Sequence, residues 1–97
     1  GKHWALRKKD AELWHWLTLA AMNAQGIRRT PFKLPVAVTF YWNDRLDIDN
    51  HAIMGKMIVD AMKGRVIEDD NRRWLKSVSH NFHDEDYIQV EIREVRP

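Results

Sequence analysis

The residues best suited to chemistry are acidic and closely spaced. Asp44, Asp47 and Asp49 fall within six positions, and Asp47-Ile48-Asp49-Asn50 opens a segment that reads as a helix. Two carboxylates two residues apart in extended backbone project to one side. A helix cap would account for Asp49 or Asn50, but for only one acidic residue. The mutual repulsion of three needs another source of relief. A hard divalent cation such as Mg²⁺ supplies it, because it takes a few carboxylates together with waters and phosphate oxygens. At ~100° per residue, Asp49, Lys56 and Asp60 lie within roughly 40° of one another on a single helical stripe. Either Lys56 and Asp60 form an i,i+4 ion pair worth about a few tenths of a kcal/mol, or Lys56 stands beside the carboxylates to touch a phosphate or a leaving oxygen. A second acidic group, Glu68-Asp69-Asp70, follows the helix. A helix of about thirteen residues spans ~20 Å, so the two groups meet only if the next strand brings them together. If they do, Asp47, Asp49 and Asp70 make a three-carboxylate site for Mg²⁺-assisted phosphodiester hydrolysis.

The elements around these residues follow from periodicity. From Trp4 to about Ala24, Leu6, Asp10, Leu13, Trp14, Leu17, Ala20, Ala21 and Ala24 keep spacings of three and four, which predicts a helix ended by Gly26. Val36 to Trp42 alternates and reads as a strand with Val36, Val38, Phe40 and Trp42 on one face. The second helix runs to about Met62 or Lys63, buries Ile53, Met54, Met57, Ile58, Ala61 and Met62, and stops at Gly64. Trp74–His80 and Tyr87–Val95 read as two further strands, with Ile88, Val90 and Ile92 facing inward. The order predicts an α+β domain: a small mixed sheet of about three to four strands with two main helices, one domain over 1–97. A sheet edge left open would await a further strand or a partner.

Composition narrows the function classes. The 97 residues are 44% apolar and 31% charged, so the chain is a folding one. There is no cysteine, which removes disulfides, thiolate zinc sites and thiol nucleophiles, and suits a reducing compartment. No apolar run is long enough to cross a membrane, and no organic-cofactor loop of the P-loop or Gly-rich type is present. Residues 1–33 carry seven Lys/Arg against two acids, +5, whereas residues 34–97 carry nine against twelve, −3. A basic arm beside an acidic body fits a protein that attracts a polyanion and holds a metal near it; on charge alone the plainer reading is a solvated helix face. Arg45, Arg72, Arg73 and Lys76, with Lys63 and Arg65, flank the acidic groups and suit phosphate contacts. Trp4, Trp14 and Trp16 serve a core or dimer interface, or stack on splayed bases. His80-Asn81-Phe82-His83 is similar to His/Asn nuclease sites, but a strand follows where those need a helix, so both histidines read as solvated.

The ordered set Asp47-Ile48-Asp49-Asn50, Lys56, Asp60-Ala61-Met62, Val66-Ile67, Asp69-Asp70-Asn71 and Trp74 resembles the RusA family of Holliday junction resolvases. The resemblance covers about residues 36–80 in order and spacing. It implies a homodimeric, Mg²⁺-dependent endonuclease (Mn²⁺ being an alternative metal) that nicks two opposed strands of four-way or branched DNA in recombination and repair. It also implies a cytoplasmic protein encoded by bacteria or phages. Asp47, Asp49 and Asp70 match the family's catalytic, metal-binding carboxylates. Lys56, aligned by its distance to Asp60, matches its essential lysine. The strand with which family members begin is expected to be missing here. Two other readings remain open: a non-catalytic DNA-binding module in which the carboxylates are caps and ion pairs, and a structural partner whose Trp-rich helix is an interface.

Overall fold

A computed structural model of the chain describes residues 2–6 and 14–96. Strand β1 (Lys2–Leu6) and helix α1 (Trp14–Ala24) are followed by β2 (Val36–Trp42), a 3-10 turn (Ile48–His51) and α2 (Ala52–Met62). Strands β3 (Leu75–Phe82) and β4 (Ile88–Glu94) complete a four-stranded sheet of order β1-β4-β2-β3. β4 is antiparallel to both β1 and β2, and β3 is parallel to β2. The fold is α+β with a mixed sheet, as the element order implied.

Alternation builds the core. Val38 is paired with Ile92, and Phe40 and Trp4 both with Val90, so alternate residues of three strands stand on one face and are buried together. Met22 of α1 and Ile58 and Met62 of α2 close over that face. On α1, Trp14, Thr18 and Met22 are the buried stripe at spacings of four, and the Thr18 hydroxyl donates to the Trp14 carbonyl at 2.7 Å. Gly26 (φ 70°) ends this helix because the reversal needs a left-handed residue. Its N–H reaches the Asn23 carbonyl and that of Ile27 reaches Met22, a Schellman closure.

Two expectations are corrected. Residues from Trp4 read as helix, but Lys2–Leu6 is a strand. Five residues are too few to separate a period of two from one of 3.6, and pairing with β4 decides the outcome by burying Trp4 and Leu6 on the sheet. Asp10 and Leu13 lie outside the described residues. This strand, β1, is the edge of the sheet opposite β3. Finally, Ile53 does not join the buried side of α2 but is 74% exposed, because the packed stripe runs through Met54, Gly55, Ile58, Val59, Ala61 and Met62.

The strands around residues 75–82 and 88–94 are consecutive yet not neighbours, since β2 lies between them. β3 instead returns through α2 to lie parallel to β2, the crossover that parallel pairing requires. This connection sets where the acidic groups stand.

Candidate functional site

The acidic loop is organised by a buried histidine. His51 is 0% exposed and lies 4.5 Å, ring to ring, from Trp42. Its Nε2 is 2.9 Å from both carboxylate oxygens of Asp44, and its Nδ1 is 3.1 Å from the Asp47 carbonyl and 3.3 Å from that of Ile48. The second Asp44 contact is with the Leu46 N–H, which donates to Oδ1 at 2.9 Å. Asp44 is thus hydrogen-bonded within the protein. Asp47 precedes the 3-10 turn in extended conformation but makes no capping hydrogen bond. Among the described residues, the side chains of Asp47 and Asp49 have no partner, and both are exposed. The cap explanation fails for Asp47, leaving two uncompensated carboxylates on a loop whose backbone His51 holds.

A second group lies along α2. Lys56 Nζ is 3.6 Å from Asp60, Asp60 is 3.6 Å from Lys63, and Lys63 is 3.6 Å from Asp70. The i,i+4 pair is therefore real, although Lys56 remains 72% exposed and free to reach outward. The charge of Asp70 outweighs the opposing effect of burial and, with a lesser contribution from Asp60, holds the Lys63 pKa above its ordinary value. Lys56, Asp70 and His80 line one cleft of about 240 Å³, with Gly55 and Val78 in its wall. Asp70 is placed there by the turn before β3, in which Asp69 accepts from the Asp70 N–H at 2.8 Å and Asn71 from the Arg73 N–H at 3.0 Å.

His80, expected to be solvated, is half-buried. It stacks on Phe40 with centroids 5.5 Å apart, and its Nδ1 accepts from Trp42 Nε1 at 3.1 Å. Burial, reinforced by the nearby His51, pushes its pKa below the ordinary 6.5. Because the native pKa lies below the unfolded one, the unfolded chain takes up this proton first. The contribution of His80 to stability is complete above pH 6.5 and is lost as pH falls from there toward the lowered native value. The melting temperature is expected to fall from pH 7 to pH 5, and to fall less in His80→Asn; equal slopes in the two proteins would contradict this assignment.

The register places the predicted site residues. Val36 pairs with Leu75 and Trp42 with Phe82, so Asp47 and Asp49 follow one end of the β2–β3 pair while Asp70 enters at the other. Seven strand residues span ~20 Å. Asp70 is accordingly gathered with Lys56 and Lys63 and not with Asp47 and Asp49. Among the described residues no group of three or more His, Asp or Glu side chains is arranged to hold a metal ion. Magnesium usually takes only one or two protein carboxylates, the rest being water and phosphate. Asp47 and Asp49, partner-free and two residues apart, fit that requirement in donor type and number. Arg45, Arg72 and Lys76 are exposed, and Arg73 lies 5.0 Å over the Trp74 ring. Arg65 is not available to a phosphate, since its guanidinium donates to the Ile27 carbonyl and Asn23.

Sequence reasoning set His80 aside as solvated and gave His51 no role. The Asp44–His51 contact depends on how the loop curls, and the placing of His80 depends on the β2–β3 register; neither leaves a spacing signal. No model of a known protein family matches the chain, and no curated protein and no solved structure matches it significantly. Among the described residues, no helix is long and apolar enough to cross a membrane.

Proposed function

We propose that this chain is a Mg²⁺-dependent endodeoxyribonuclease that resolves four-way or branched DNA as a homodimer, in DNA recombination and repair. The observation that carries the reading is the cleft lined by Lys56 of α2 and by Asp70 of the turn before β3, with the partner-free Asp47 and Asp49 preceding α2. The resemblance of the ordered motif to the RusA family supports it independently. Asp47 and Asp49 would hold the metal, Mg²⁺ or Mn²⁺; the resemblance would add Asp70 to them, whereas the fold gathers Asp70 with Lys56 and Lys63. When bound, such an ion supplies Lewis-acid polarisation of a phosphate and an activated water. Lys56, long and exposed, neutralises charge on the phosphate, and Arg45, Arg72, Arg73 and Lys76 fix the backbone without reading sequence. Two copies related by a twofold axis present two equivalent sites, as symmetric nicking of opposed strands requires.

A second reading, a DNA-binding module without catalysis, is favoured by one observation: the three carboxylates are not gathered, and Asp70 is held by Lys63. Both readings require electrostatic binding to DNA, whereas a purely structural partner does not. Affinity for four-way DNA should fall steeply with salt, and Arg72→Ala should reduce the slope of log K against log salt by about one. Affinity indifferent to salt would rule out both readings. Cleavage in Mg²⁺ but not in EDTA separates the first from the second.

A further inference from the structure

We propose that His80 is a neutral hydrogen-bond donor to a phosphodiester oxygen in the Lys56–Asp70 cleft, held in the required tautomer by Trp42; the DNA source of that phosphate rests on the function proposed above. An indole Nε1 can only donate. His80 Nδ1 receives that donation at 3.1 Å and so carries a lone pair. A neutral imidazole has one N–H, which is therefore on Nε2. Among the described residues Nε2 has no partner, and the ring lines the cleft that also holds Lys56 and Asp70.

The surroundings fix this donor in place. The ring is nearly parallel to Phe40, at 11°, and to Trp42, at 16°. Gly55 leaves the imidazole edge uncovered, since a Cβ there would stand 3.1 Å from His80 Cε1 and 3.2 Å from Phe40 Cε2. Asp70 is compensated by Lys63 at 3.6 Å, so its charge does not by itself exclude a phosphate. Lys56 supplies charge and His80 direction. Phosphate-binding lysines release counterions and therefore impose a salt dependence. A neutral N–H releases none.

This difference makes the role testable on the full chain. In ¹⁵N-histidine spectra at pH 7.5, His80 is expected as the Nε2–H tautomer, and its Nε2 resonance should move when dimethyl phosphate is added. The Nδ1–H tautomer, or no movement at saturating dimethyl phosphate, overturns the proposal. In binding to four-way DNA in EDTA, His80→Asn keeps an acceptor near Nδ1 but loses the Nε2 donor. It should weaken affinity about tenfold with an unchanged salt slope, whereas His80→Gln, which restores an N–H near Nε2, should recover most of the loss. Lys56→Gln should instead lower the slope. Unchanged affinity in His80→Asn, or a loss that His80→Gln does not recover, contradicts the assignment while the DNA-binding reading stands. Wild-type protein that binds no DNA refutes that reading and leaves the dimethyl phosphate result to judge His80.

Discussion

Asp44→Ala is expected to destabilise the protein by about 1–3 kcal/mol, the usual cost of leaving a buried hydrogen-bonding group without its partner. Its partner His51 is wholly buried and faces acceptors on both ring nitrogens, with Asp44 supplying both contacts to Nε2. Without Asp44, that nitrogen has no acceptor among the described residues. By contrast, Asp47→Ala, at an exposed residue with no partner, should change stability by no more than about 0.5 kcal/mol. Replacing both Asp44 and His51 with apolar residues should cost less than Asp44→Ala alone, because no buried polar group is then stranded. Chemical denaturation of the three variants checks this ordering. Equal small effects at positions 44 and 47 would show that the pair does not hold the loop. The same pair sets the backbone that carries Asp47 and Asp49, since His51 Nδ1 lies against the Asp47 and Ile48 carbonyls. Asp44→Ala should therefore also weaken metal-dependent activity without touching a substrate.

What could be read in the chain beforehand divides along local and non-local lines. β2, α2 and β4 were legible because each is long enough to show its period, and each has one buried side. Gly26 and Gly64, with φ of 70° and 75°, marked the helix ends through local chemistry alone. Lys2–Leu6 was not legible, because its strand character comes from pairing with β4 more than eighty residues away. The candidate site divides in the same way. Asp47, Asp49, Lys56 and Asp70 were visible as residue types at telling spacings. Their grouping was not, because it depends on β3 lying parallel to β2 and entering at the Val36 end. Arg65 shows the converse: as a sequence feature it was one more flanking base, and the fold commits it to the Ile27 carbonyl.

The second large effect concerns Asp70. By the resemblance it matches a catalytic carboxylate, and in the fold it stands in the cleft with Lys56, apart from Asp47 and Asp49, its only ion-pair partner among the described residues being Lys63. Because Asp70 is not gathered with Asp47 and Asp49, its replacement is expected to lower cleavage about 10–100-fold, the usual cost of losing a group that supports a metal site. Binding should survive, because Asp70→Asn removes negative charge from a surface that meets a polyanion and leaves Arg72, Arg73 and Lys76 in place. In a binding module, the same substitution leaves affinity unchanged or raises it, and there is no cleavage to lose.

The most direct measurement is cleavage of an end-labelled four-way junction by the purified chain in Mg²⁺, run beside Asp70→Asn and an EDTA control and read on a denaturing gel. Paired nicks at symmetric positions in opposed strands, from the wild type in Mg²⁺ alone, are the expected result. Tight, salt-dependent binding with no nick in any lane would contradict the enzyme and leave a DNA-binding module in its place.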